Sequence, residues 1–179
     1  MSDNAPDDYF LIVSRLEPYK KIDLAIEACN KLGRQLVIIG EGKDRNRLQA
    51  LAGKTIEFLG RQSDKAVHEY MRNAYALIFP GEEDFGLTPL ESMASGRPVL
   101  AYRKGGTVET VIDGTTGLFF NEPTSESLAE CLNRFSDKYL SFSPSNCRKQ
   151  AERFSVEQFK ENIGDYVDSS YNVWIKRNG

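Results

Sequence analysis

Tyr9-Phe-Leu-Ile-Val13 is a short unbroken apolar run, and Ile22, Ala25, Ile26 and Cys29 follow it at spacings of i, i+3, i+4 and i+7. The run fits a strand buried on both faces, and the spaced set is one apolar face of a helix. The same alternation continues along the chain. Leu36-Val-Ile-Ile39, Ile56-Glu-Phe-Leu59, Ala76-Leu-Ile-Phe79, Pro98-Val-Leu-Ala-Tyr102 and Gly117-Leu-Phe-Phe120 read as further strands. A charged helix with Leu48 and Leu51 turned inward follows the second strand. A helix over Asp64 to Asn73 is capped by Ser63, and one from Pro89 to Ser95 stops at Gly96. After Pro123 the pattern is helical to the end, interrupted near Ser141 to Ser145. Apolar strands alternating with amphipathic helices predict an α/β fold: a doubly wound parallel sheet of about six strands, helices on both faces and a helical C-terminal tail.

The 179 residues suit one domain. We expect a disordered tail over 1–8, a folded domain over 9–155 and a C-terminal helix over 156–179. Hydrophobic residues make up 40%, enough to bury a core. The 23 Lys+Arg against 26 Asp+Glu exclude the strong basic excess of a nucleic-acid-binding protein. No apolar run approaches the ~20 residues of a membrane helix, and the polar start Met1-Ser-Asp-Asn-Ala-Pro-Asp-Asp is not a signal peptide. Cys29, Cys131 and Cys147 are far apart and His68 is the only histidine. Reduced thiols are expected, and neither a zinc site nor a disulfide framework.

In such sheets ligands bind beyond the carboxyl ends of the strands, so the loops there are where chemistry is sought. The first loop, Ser14-Arg-Leu-Glu-Pro-Tyr-Lys-Lys21, sets Arg15 and Lys20 just before a helix, where a planar fork of donors and a mobile point charge can hold a diphosphate. A solvated basic turn is the plainer alternative. Gly40-Glu-Gly42 permits a tight turn, and Gly60-Arg61 offers backbone against which a base can lie. The fourth loop, Pro80-Gly-Glu-Glu-Asp-Phe-Gly-Leu-Thr-Pro-Leu-Glu91, is the most informative. Glu83 sits in the loop and Glu91 inside the following helix, while the amides of Phe85, Gly86 and Leu87 lead into it. Such amides suit a polar ligand, and the carboxylates suit sugar hydroxyls, because ionised acceptors make the stronger hydrogen bonds. Last, Gly105-Gly106 precede a short helix, where they can admit a ligand or simply make a flexible turn before a capped helix.

Taken in order, these motifs resemble the C-terminal, donor-binding half of glycosyltransferase family 4, retaining enzymes of the two-domain GT-B type. Ser14-Arg-Leu-Glu-Pro-Tyr-Lys20 is similar to the family's phosphate loop, Gly40-Glu-Gly42 to its G-x-G turn and Phe58-Leu-Gly-Arg61 to its base-binding loop. Glu83 and Glu91 match its E-x7-E signature, and Gly105-Gly106-x-x-Glu109 and Asp113-Gly-x-x-Gly117-Leu also fit. The likeness covers roughly 9 to 135. The departures are Ser14 for the opening glycine, Lys21 where the family usually has Gly, and Asp84 after the first Glu.

The resemblance implies a Rossmann-like donor domain and transfer of a hexosyl group from a nucleotide diphosphate sugar to an acceptor hydroxyl, with retention. The runs Pro80-Gly-Glu-Glu-Asp-Phe-Gly86 and Arg15-Leu-Glu-Pro-Tyr-Lys-Lys-Ile-Asp23 point to the mannosyltransferase-like branch that uses GDP-mannose. It implies Arg15, Lys20 and Glu83 as catalytic residues. Gly40, Gly60, Arg61, Phe85, Gly86, Leu87, Glu91, Gly105 and Gly106 are implied as donor-binding. Arg15 and Lys20 would take the leaving diphosphate, Glu91 the ribose and Glu83 the donor sugar. No metal or other cofactor is expected. The acceptor, a glycan or lipid-linked sugar, would be held by an N-terminal domain that this chain lacks, and the isolated domain is expected to be inactive. A role in polysaccharide biosynthesis and a cytoplasmic place are implied, with the full enzyme able to sit peripherally at the inner membrane face. A non-catalytic nucleotide-sugar-binding module and a sugar-nucleotide epimerase of related fold are the alternatives.

Overall fold

The computed structural model describes residues 6–178. Most of the tail expected to be disordered, residues 1–5, lies outside them, while the Asp7 amide donates to the Asn73 carbonyl at 2.7 Å. The strands are β1 (Phe10–Val13), β2 (Leu36–Ile39), β3 (Ile56–Gly60), β4 (Ala76–Phe79), β5 (Val99–Tyr102) and β6 (Gly117–Phe120). They form one six-stranded sheet in the order β3-β2-β1-β4-β5-β6. Every neighbouring pair is parallel, with Phe10 in register with Leu36 on one side and Ala76 on the other.

Parallel neighbours require crossover connections. These are α1 (Ile22–Leu32), α2 (Arg45–Leu51), α3 (Asp64–Asn73), α4 (Leu87–Ala94) and the single turn α5 (Thr107–Thr110). Then follow α6 (Ser125–Lys138), α7 (Pro144–Glu152) and α8 (Val156–Asn178). Because side chains alternate along a strand, each short strand feeds two cores. Phe10, Ile12, Ile38, Ile78, Leu100 and Phe120 pack with Ile22 and Ile26 of α1 and Leu128, Leu132 and Phe135 of α6. Leu11, Val37, Leu77, Phe79, Val99 and Phe119 face the other way, onto Met71 of α3, Leu90 and Met93 of α4, and Cys147 of α7. Each such side chain contributes about 1.5–3 kcal/mol when fully buried. The strands other than the edge strand β3, which carries the exposed Glu57, are apolar because both faces are covered.

Ser63 caps α3 as its position suggests, its Oγ accepting from the Ala66 amide. Two readings need correction. Helix α4 begins at Leu87, two residues before Pro89, because Gly86 turns the chain with φ of 79°. Leu51 is exposed rather than inward. It ends a seven-residue helix whose end is held by Asn30: Nδ2 donates to the Leu51 carbonyl at 2.8 Å, and Oδ1 accepts from the Gly53 amide at 2.9 Å. Helix α8 buries none of its residues, and Phe159, Tyr166 and Trp174 stand in solvent.

Cys29, Cys131 and Cys147 are free and buried. Burial pushes the Cys29 thiol up from 9.0 to about 12, and the other two up from 9.0 to about 11. The unfolded chain therefore loses these protons first as pH rises. The thiols' contribution to stability is complete below about pH 9 and lost by about pH 12. The urea midpoint should fall as pH is raised from about 8.5 to 10.5, and thiol reagents at about pH 8 should react only after denaturant is added. Rapid labelling of all three in the native protein would contradict this packing.

Candidate functional site at the sheet reversal

The chain winds outward from β1 through β2 to β3, then returns to lay β4 on the other side of β1. The loops after β1 and β4 therefore leave the sheet side by side and run in opposite directions, which opens a crevice between them. They are the two loops that carry the paired cations and the first glutamate. A small cleft lined by Ser14, Lys20, Pro80, Gly81 and Glu83 marks the join.

Local chemistry shapes the first loop. Pro18 opens a single 3-10 turn, Pro18–Lys20, which ends at Lys21. Lys21 has φ of 54° and is the one non-glycine residue with positive φ among the described residues. That conformation costs an L-residue roughly 1–2 kcal/mol, which explains why glycine suits this position. The turn presents Lys20 toward the β4 loop, where its Nζ donates to Glu83 Oε1 in an ion pair. Lys20 Nζ also lies 5.0 Å from the centre of the Tyr19 ring. The Arg15 guanidinium donates to the Tyr19 hydroxyl at 3.3 Å and is exposed. Tyr19 thus touches both cations, a role its neighbours in sequence do not signal.

The remaining loops pack backbone against backbone. A Cβ on Gly40 would lie 1.8 Å from the Ser14 carbonyl oxygen, and the Gly40 amide donates to the Gly60 carbonyl at 2.8 Å. On Gly106 a Cβ would come within 2.6 Å of Phe85 Cα, and its amide donates to the Glu83 carbonyl at 2.8 Å. Gly105 meets the same Glu83 carbonyl. The glycine pair therefore fixes the course of Glu83-Asp-Phe85 from behind. Lys104 Nζ lies 3.1 Å from Glu82 Oε2, a second tie between these loops and one that composition does not reveal.

The expected residues divide into two groups. Lys20 and Glu83 meet at the reversal and Arg15 is linked to Lys20 only through Tyr19, with Gly40, Gly105 and Gly106 holding the loops. Phe85 and Leu87 are exposed at the entry to α4, and Phe85 meets the Phe154 ring edge-on at 6.1 Å between centres. Glu91, one turn further along, is exposed on a groove lined by Leu90, Ala94, Arg148, Ala151 and Phe154. Gly60 turns with φ of 67° above Glu41, which pairs with Arg45, and Arg61 beside it is exposed. Among the described residues no group of three or more His, Cys, Asp or Glu is placed to hold a metal ion, and no helix is long and apolar enough to cross a membrane.

Known proteins share both sequence and fold with this chain. An uncharacterized glycosyltransferase of Methanocaldococcus jannaschii, MJ1178, is 32% identical over 160 residues, which cover 84% of this chain and 45% of that protein. The alpha-1,3/1,6-mannosyltransferase ALG2 of Dictyostelium discoideum is 29% identical over 195 residues, covering 89% and 45%. HepE of Anabaena, in complex with UDP-glucose, superposes with a TM-score of 0.78 at 23% identity over 91% of this chain and 49% of that one, a likeness of fold. The chain spans about half the length of the curated relatives it matches. The family model for glycosyl transferases group 1 matches residues 3–154, and the chain belongs to that family.

Proposed function

We propose that this chain is the donor-binding half of a retaining, family 4-type glycosyltransferase that moves a hexosyl group from a nucleoside diphosphate sugar to an acceptor hydroxyl. The observation that carries this reading is the pairing of Lys20 with Glu83 at the reversal of a parallel sheet, with Arg15 in the same loop as Lys20. Two cations beside a helix N-terminus suit a diphosphate, and a carboxylate next to them suits the sugar hung from it. Family membership and the fold shared with a protein that holds UDP-glucose support a nucleotide sugar as donor. The run of residues 80–86 and the ALG2 relative favour mannose, with GDP-mannose the first donor to test.

In this reading the bond from the anomeric carbon to the diphosphate oxygen breaks as the acceptor hydroxyl oxygen attacks, and the hydroxyl proton passes to the departing diphosphate. Negative charge builds on the departing diphosphate, and Arg15 and Lys20 stabilise it. A preorganised donor of this kind is worth about 3–4 kcal/mol where one has been removed and measured. Glu91 accepts from the ribose hydroxyls and Glu83 from the donor sugar. The Gly60-Arg61 turn lies against the base. Attack on the same face, assisted by the leaving phosphate, accounts for retention without a covalent role for Glu83. The two cations meet the charge of the diphosphate, and no metal is invoked. The acceptor, a glycan or lipid-linked sugar, is held by an N-terminal half beyond this chain, toward which the bare apolar face of α8 turns.

Calorimetric titration with GDP, UDP, ADP, GDP-mannose and UDP-glucose tests the reading. Arg15→Ala and Glu91→Ala should each weaken the preferred nucleotide by about 10- to 100-fold, the loss of a hydrogen bond to a charged group. Full affinity in both variants would refute the assignment. EDTA should leave the affinity unchanged, and a loss would bring a metal into the site. Gly106→Ala should lower stability by about 1–3 kcal/mol, because the new methyl pushes on the Asp84-Phe85 backbone. An unchanged urea midpoint would show that the loops are not held as described.

A further inference from the structure

The two acidic side chains of the β4 loop are each matched by a lysine from a neighbouring loop, but the two pairs are not alike. Glu82 and Lys104 are more than half exposed, at 51% and 59%. Glu83 and Lys20 are 24% and 13% exposed, so water screens them far less. The Tyr19 ring flanks Lys20, and the Gly81 backbone lies against its main chain, where a Cβ would be 3.0 Å from Lys20 Cα. Lys20 is therefore paired with Glu83, and a diphosphate bound here has to take it away.

We propose that Glu83 is an internal counter-anion that competes with the ligand's phosphate for Lys20, so that the site favours the intact nucleotide sugar over the spent nucleoside diphosphate. The inference rests on the donor-site reading above. When a nucleotide sugar enters, Lys20 passes to the phosphate and Glu83 passes to the sugar hydroxyls, and every charge keeps a partner. When a nucleoside diphosphate enters, no hydroxyls arrive. Its terminal phosphate also carries more negative charge than one esterified to a sugar. Glu83 is then left partly buried and unpaired beside that charge, a costly arrangement. Recapture of Lys20 by Glu83 expels the product.

The test is titration of the wild-type chain, Glu83→Gln, Glu82→Gln, Lys20→Met and the Lys20→Met/Glu83→Gln double variant with UDP, GDP and ADP, then with UDP-glucose and GDP-mannose. Glu83→Gln should tighten the nucleoside diphosphate by about 5- to 20-fold, as expected when a partly buried competing ion is removed. It should tighten the matching nucleotide sugar less, so the preference between the two narrows. Glu82→Gln removes the same net charge without touching Lys20 and should change affinity less than about twofold. The gain should disappear in the Lys20→Met background. Thermal unfolding confirms that each variant is folded. Glu83→Asp, which withdraws the carboxylate by one methylene, should give a smaller gain of the same sign and serves if Glu83→Gln does not fold. Wild-type binding with no gain in the Glu83 variants overturns this proposal alone. An equal gain in Glu82→Gln also overturns it, because the effect is then one of net charge. No nucleotide bound by any folded variant overturns the donor-site reading together with it.

Discussion

The close approach of loop backbones at the carboxyl edge of the sheet is the constraint on which the site depends. Gly40 lies on Ser14 and Gly105-Gly106 on Glu83 to Phe85, each at a distance that admits no side chain, and Gly81 packs tightly on Lys20. A parallel sheet sends the end of every strand to the same side, so its loops must share limited space there. Small residues let those loops pack on one another as layers. That packing gives flexible side chains such as Lys20 and Glu83 a defined meeting place. The charge pattern follows from this: acids from the β4 loop reach lysines from the loops on either side.

The order of strands makes the location meaningful. All neighbours are parallel, and the direction of winding reverses between β1 and β4. At any other position the adjacent loops run the same way and cover the sheet edge. Here they diverge, and Lys20 of one faces Glu83 of the other. Family membership is consistent with that placement. Beyond the sheet, α8 carries Phe159, Tyr166 and Trp174 into solvent, in a chain that spans about half of its matched relatives.

Much of this was legible in the sequence because the strands are covered on both faces. Strands inside the sheet are apolar along their length, unlike the edge strand β3 with its exposed Glu57, and β4 and β6 have the bounds that their apolar runs predict. Periodicity was less informative where a helix is short. Leu51 has the spacing of an inward residue, yet the last turn of a seven-residue helix ends above Asn30 with its side chain outside the core. The site residues were legible as motifs, but their pairing was not. Lys20 and Glu83 are far apart in the chain, and only the return of β4 to β1 makes them neighbours. The supporting role of Gly105-Gly106 was hidden for the same reason, since a glycine pair reads alike whether it faces a ligand or another loop. Lys21 is the opposite case: a departure from glycine whose consequence is visible only in its backbone angle.

The central claim is that a diphosphate is held where the β1 and β4 loops meet. Amide chemical-shift mapping of the isotopically labelled chain during titration with the tightest-binding nucleoside diphosphate tests it most directly. The account predicts that the largest shifts fall on residues 15–21 and 82–87, with smaller ones at 104–106. Shifts confined to the β3 edge or to α7 and α8, with the two loops unmoved, would contradict it.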